Sequence, residues 1–494
     1  MNLRPLIFLL CLGSAAFVQA NSKETLSVQG KQQPPASLAT PPENLPVEFT
    51  HKLKEAESGD IDAMLSIGLV YMDGTDYLSP DADKAFIWFK KVSDRGSADG
   101  DYYLGLLAQQ QQKYAEAVRW YRKGAEKGDP DCQYSLGFLY ERGLGLEQDY
   151  KQAKAWYMKS AEQGGAYSQL ALGMFYYDGL DGEVDYQKAK MWYEKSAQQG
   201  VAAAVNNLAV LYEKGEGVQQ DEEKAIDLYR QAANMGSAIA QMNMGDLYYE
   251  GHRLIEKNPY QAMYWYKRAA SQGYTDALFV MGRGYEEGDG VGKDLGSAFE
   301  WYLLGANNGS VPAAMKVAEF YEKGLGGVKA NHGKAIEWYM SMAEDDIVEA
   351  QTKLAELYIA GQLPEIDIQK VVSWLQASEQ DDIQSKNQLA IFYLTGNGVK
   401  QDARRARELW QQSAFQGLSD AQNNLAVMYA KGLGGDKNIF RAIMWFERAS
   451  QQDDKTAQKN LRLLKENAAV TAAMLEYTAN VQKAMAKIKG GDEW

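Results

Sequence analysis

An all-α solenoid is the fold the sequence predicts, built from eleven helix–loop–helix repeats of about 36 residues each. Three periodic features predict it. An aromatic pair recurs: Trp88-Phe89, Trp120-Tyr121, Trp156-Tyr157 and so on to Trp445-Phe446, with Leu in one place at Leu228-Tyr229, Trp374-Leu375 and Leu409-Trp410. A small residue opens another stretch of each repeat (Ala63, Gly100, Cys132 and their equivalents to Ala421), with Gly or Ala five residues later and Tyr eight residues later in ten of the eleven copies. Offsets of four, five and eight lie on one face of a helix. Ala also stands three residues before the aromatic pair in ten copies, Val371 being the exception. Two helices of about 12 residues fit each repeat, near the usual helix length.

At the N-terminus, Arg4, the apolar run from Leu6 to Phe17 and the small-x-small Val18-Gln19-Ala20 predict a signal peptide over residues 1–20. The run is too short to span a bilayer. Cleavage after Ala20 removes Cys11 and leaves Cys132 alone, so no internal disulfide is expected. Residues 21–46 hold Pro34, Pro35, Pro41, Pro42 and Pro46 among polar residues and read as a disordered linker. Residues 47–61 read as an N-terminal cap helix and 62–454 as the repeats. Residues 455–494 read as C-terminal capping helices and a tail, including an amphipathic helix over Val470–Lys489.

A mid-helix Gly costs about 1 kcal/mol relative to Ala. Six repeats accept that cost at one slot, at Gly68, Gly105, Gly137, Gly173, Gly245 and Gly282. Close helix approach at that slot is the expected reason. The repeat from Ala204 to Gly236, with Leu208-Ala209, Leu211-Tyr212, Gly215-Glu216-Gly217-Val218, Lys224-Ala225 and Ala232-Ala233, resembles the Sel1-like repeat, a tetratricopeptide-like unit with a longer inter-helix loop. The resemblance covers Asp62 to Asp454. It implies right-handed superhelical stacks, adaptor or scaffold roles in an exported bacterial protein, and no catalytic residues. Repeat two departs from the pattern, with Gln109 to Gln112 in place of the Gly-rich loop, and repeat nine has Pro364 in its loop.

The net charge of −14 excludes an electrostatic role on nucleic acid or anionic lipid and favours a basic partner. His51, His252 and His332 lack helical metal-ligand spacing. Cys132 occupies a small-residue slot, which fits a buried apolar role better than a nucleophile. Gly288-Asp289-Gly290-Val291-Gly292-Lys293 lacks the spacing of a phosphate loop and falls on the inter-helix loop of its repeat. No Ser has Lys three residues on, as a penicillin-acting acyl enzyme requires. The expectation is a monomeric, periplasmic or secreted protein with no enzymatic activity, cofactor, metal or stable membrane insertion. It is expected to bind a protein partner along the groove, a basic one being favoured by the net charge. An immunity protein that neutralises a phospholipase-type antibacterial toxin is the second reading, and a penicillin-acting hydrolase a remote third.

Two features exceed what the repeat demands. The framework uses seventeen of the 31 Tyr; among the rest, Tyr102, Tyr103, Tyr134 and Tyr167 cluster early. The pairs Asp345-Asp346, Asp381-Asp382 and Asp453-Asp454 replace the turn Gly and are expected to align as an acidic ridge. Carboxylates near a helix C-terminus are mildly unfavourable, by a few tenths of a kcal/mol. Both groups are therefore candidate partner-binding residues.

Overall fold

The computed structural model describes residues 46–182, 184–363 and 366–466. The expected signal peptide, all but the last residue of the linker, Pro364 and the helix over 470–489 lie outside the described residues. Among those described there are twenty-four helices and no strand longer than an isolated bridge. They fall into two compact units, one up to Tyr274 and one from Thr275.

The first unit opens with α1 (Val47–Ser58) and continues as six helix pairs. These are α2 (Ile61–Asp73) with α3 (Ala82–Asp94), α4 (Ala98–Gln110) with α5 (Tyr114–Glu126), α6 (Pro130–Arg142) with α7 (Tyr150–Glu162), α8 (Ala166–Asp178) with α9 (Tyr186–Gln198), α10 (Ala202–Lys214) with α11 (Glu222–Asn234), and α12 (Ala238–Glu250) with α13 (Pro259–Ala270). The second unit holds five pairs and a final helix. These are α14 (Thr275–Glu287) with α15 (Leu295–Asn307), α16 (Val311–Lys323) with α17 (His332–Glu344), α18 (Val348–Ile359) with α19 (Ile368–Ser378), α20 (Ile383–Thr395) with α21 (Ala403–Phe415), α22 (Ser419–Lys431) with α23 (Ile439–Ser450), and then α24 (Lys455–Glu466).

The glycine slot is explained by the aromatic pair. A Cβ on Gly173 would sit 2.4 Å from the Tyr193 ring, and one on Gly282 would sit 2.5 Å from the Tyr302 ring. The same holds for Gly68 under Phe89, Gly105 under Tyr121, Gly137 under Tyr157 and Gly245 under Tyr266. The ring of the second helix thus lies flat on the bare backbone of the first. Its hydroxyl then needs a partner, because a buried polar group left unpaired costs about 1–3 kcal/mol. The Tyr157 hydroxyl donates to Glu141 at 2.8 Å, Tyr229 to Glu213 at 2.7 Å and Tyr302 to Glu286 at 2.6 Å.

Capping fixes where ten of the eleven second helices start, α5 after Lys113 being the one without a side-chain cap. Asp81, Asp149, Asp185, Asp221, Asn258, Asp294, Asn331, Asp367, Asp402 and Asn438 each accept a bond from the helix backbone they precede. The backbone N–H of most of these caps also donates to the carbonyl of the recurrent Tyr, as Asp149 does to Tyr140 at 3.0 Å. Part of the acidity of the chain is therefore structural.

Neighbouring repeats are joined by a buried Gln one residue after the small start. Gln169 donates to the Ala161 carbonyl at 3.2 Å and accepts from Gln199 at 2.7 Å. Gln133, Gln241 and Gln422 repeat the arrangement with Gln163, Gln272 and Gln452. In repeat two the slot is Asp101, wholly buried, which pairs with Lys123 at 3.0 Å and with Lys127 and accepts from Ser93.

The ends follow the same pattern. Phe49 and Ala56 of α1 are buried in one cluster with Met64 and Ile67 of α2. At the other end Asn460 of α24 donates to Asn423 of α22 at 3.0 Å, as Asn243 of α12 does to Asn206 of α10 at 3.1 Å. So α24 takes the place of a first helix.

Candidate functional site

The early tyrosines lie on three consecutive first helices. Tyr102 and Tyr103 of α4 meet edge to face at 5.1 Å, and Tyr103 stacks on Phe89 at 5.1 Å. Tyr102 leans on the buried Tyr121, with centroids 6.1 Å apart. Tyr134 of α6 takes the same slot as Tyr102 and leans on Tyr157 at 5.6 Å. It also reaches Tyr167 of α8 at 6.3 Å, and Tyr167 is 48% exposed. Tyr102 and Tyr134 therefore thicken the core while presenting an edge, and Tyr167 presents most to solvent. Burial, then the charge of Asp131 and the neighbouring Tyr103, pushes the Tyr102 hydroxyl up to about 12. The Tyr102 hydroxyl therefore stays protonated at physiological pH.

The acidic pairs do work inside their turns. Asp346 (φ 60°) and Asp453 (φ 62°) adopt the left-handed backbone that Gly adopts in the equivalent turns, for example Gly236 (φ 101°). Asp is among the few residues that tolerate it. Asp382 caps α20 through the Ser385 N–H, and Asp454 caps α24 through the Thr456 and Ala457 N–H groups at 2.8 and 2.9 Å. Asp454 also accepts from the Ser419 hydroxyl at 3.2 Å. Asp345 ends α17, and Asp381 lies in the turn before α20. The pairs are not in register: Asp346 and Asp453 share the left-handed position, whereas Asp382 and Asp454 share the capping position.

Cys132 is wholly buried, and burial followed by the charge of Asp129 holds its thiol far above the ordinary range. It fills the space left by Gly124, where a Cβ would meet its sulfur at 2.3 Å. A thiolate is not supported in that setting. The Gly288–Lys293 segment is the loop between α14 and α15, with Gly288 and Gly290 at φ 79° and 70°. His51 and His252 lie 3.3 Å from Glu55 and Glu222 respectively, and His332 opens α17. Among the described residues no three His, Cys, Asp or Glu side chains converge as metal ligands, and no helix is long and apolar enough to cross a membrane.

Paired helices, a ring on a glycine and Gln ties between neighbours define a tetratricopeptide-like α-repeat protein. The Sel1 repeat matches residues 61–97, 98–129, 130–165, 166–201, 202–237, 238–274, 275–310, 311–346, 348–380, 383–418 and 419–454, and the chain belongs to that family. The chain is similar to c5321, a protective antigen present in uropathogenic Escherichia coli strains and displaying an SLR fold. The two are 30% identical, over 91% of this chain and 98% of that one, with a TM-score of 0.55. It is also similar to a Sel1 repeat protein from Oxalobacter formigenes (30% identity, 48% of this chain, 94% of that one, TM-score 0.40). Immunity protein Pa5087 from Pseudomonas aeruginosa matches at 22% identity over 44% of this chain and 83% of its own, TM-score 0.34. No curated protein matches the chain.

Proposed function

We propose that this chain is an exported, non-catalytic scaffold that holds a protein partner against the first helices of its N-terminal unit. The observation that carries the reading is the tyrosine cluster. The repeat needs one ring on each glycine, and Tyr102, Tyr103, Tyr134 and Tyr167 add rings beyond that need on a partly exposed face. Tyr offers large contact area and a hydroxyl at low entropic cost, which is why it recurs at binding surfaces. Export rests on the apolar run Leu6–Phe17 and the Val18-Gln19-Ala20 site.

Affinity capture from envelope extracts, with the chain from Asn21 onward as bait, tests the reading. Wild type is expected to recover a protein that the Tyr103→Ala/Tyr134→Ala/Tyr167→Ala variant recovers at least tenfold less well. Recovery of nothing, or equal recovery by the folded variant, would contradict it. A recovered toxin whose activity the chain suppresses makes the same surface inhibitory. Turnover of a reporter lactam by the purified chain, abolished by one Ser substitution, would overturn the non-catalytic assignment.

A further inference from the structure

Ion pairs in the second unit reveal which positions meet between successive first helices. Lys316 of α16 lies 3.1 Å from Glu286 of α14 and 3.1 Å from Glu319 on its own helix. Lys353 of α18 lies 3.6 Å from Glu322 of α16 and 3.3 Å from Glu356. The ninth residue after the small start of one repeat therefore meets the third of the next, which in turn meets the sixth on its own helix. Over α14, α16 and α18 this row satisfies itself with opposite charges.

The same positions in the first unit carry no such ladder. Met72, Tyr103 and Leu106 stand at one junction, Phe138 with Gln109 and Ser135 at the next, and Ala171 and Met174 with Glu141 at the third, all half-buried. The row is apolar apart from Gln109, Ser135 and Glu141, and Glu141 is taken up by Arg142 and the Tyr157 hydroxyl. Beside this row stand acids that form no ion pair, although Asp178 feels the charge of Lys214 on α10. Asp62, Asp99 and Asp131 occupy one slot at the start of α2, α4 and α6, and Asp73 and Asp178 close α2 and α8. All five are exposed and none forms an ion pair among the described residues. Arg142 is the only basic residue in these four helices. Burial, then Asp99, Asp131 and Asp73, raises the Tyr103 hydroxyl, so acids from three helices surround the middle of the row.

We infer that the α2–α8 face takes a cationic amphipathic segment of a partner protein, its apolar side on the Tyr103–Met174 row and its Lys or Arg side chains on the flanking carboxylates. The inference rests on the scaffold reading and specifies its partner. An apolar row alone would accept many sequences. Flanking acids reject an acidic segment, since like charges brought together across an interface cost several kcal/mol. Packed helices lie about 8–10 Å apart. Four first helices thus span about 24–30 Å, matched by about 16–20 residues of helix at 1.5 Å each.

The test uses a fluorescent 18-residue peptide of Leu and Lys with Leu on one helical face, and the chain from Asn21 onward. Anisotropy at physiological salt is expected to show saturable binding. A Leu→Ser peptide of equal charge and a Lys→Glu peptide with the same apolar face should each bind at least tenfold more weakly. Asp99→Asn with Asp131→Asn, both exposed and safe for folding, should weaken binding severalfold and flatten its salt dependence. Phe138→Ser with Met174→Ser should weaken it tenfold. Lys353→Gln, in the second unit, should leave it unchanged. Equal binding of the Ser peptide, indifference to the Asp variants, or an equal loss with Lys353→Gln overturns the inference. If the peptide fails while capture still yields a partner dependent on Tyr103, the scaffold reading stands and only this inference falls. If capture also fails, the scaffold reading falls with it.

Discussion

Gly173→Ala is expected to destabilise the N-terminal unit by about 1–3 kcal/mol, the usual cost of overpacking a tight core. The sign is the informative part. In an exposed helix interior the same change stabilises by up to about 1 kcal/mol. Here the new methyl would stand 2.4 Å from the ring of Tyr193, which is 2% exposed and has no room to retreat. Gly173→Val should cost more. Combining Gly173→Ala with Tyr193→Leu should recover part of the loss, because the smaller side chain vacates the contact. Urea unfolding of the single and double variants measures this. Stabilisation by Gly173→Ala alone would show that the ring does not rest on the backbone.

Alkali is expected to unfold the protein between about pH 10 and 12. Free Tyr ionises near 10. Burial first, then the facing Glu213, Glu286 or Glu322, raises the hydroxyls of Tyr229, Tyr302 and Tyr339. Burial also raises Tyr121. A group whose folded pKa lies above its unfolded one contributes its full stability below the unfolded value. That contribution is lost as pH climbs toward the folded value. Several such groups act together against a total stability of only about 5–15 kcal/mol. Tyrosinate absorbance from these rings should therefore appear together with loss of helical circular dichroism. Full titration of all tyrosines with helix content intact would contradict their burial.

The fold was legible because its signals are periodic and local. Offsets of five and eight from the small start are properties of one helix, and the ring that answers Gly173 sits in the next one. The Gln ties were harder to see. A buried polar residue leaves no hydrophobic signal, although Gln133, Gln169 and Gln241 recur in one slot, each met by a Gln thirty or thirty-one residues on. The acidic pairs show where counting fails. Turns of three residues after α17 and four after α23 shift which Asp takes the left-handed position and which caps the next helix. The Tyr103–Met174 row was invisible for another reason. Its members belong to different repeats, and only the register fixed by Lys316 and Lys353 identifies their junctions.

Hydrogen exchange on the chain bound to its captured partner tests the central claim most directly. Binding should slow exchange in α2, α4, α6 and α8, most strongly around Tyr103, Phe138 and Met174, with α14, α16 and α18 unchanged. Protection confined to the second helices, or to the C-terminal unit, would contradict it.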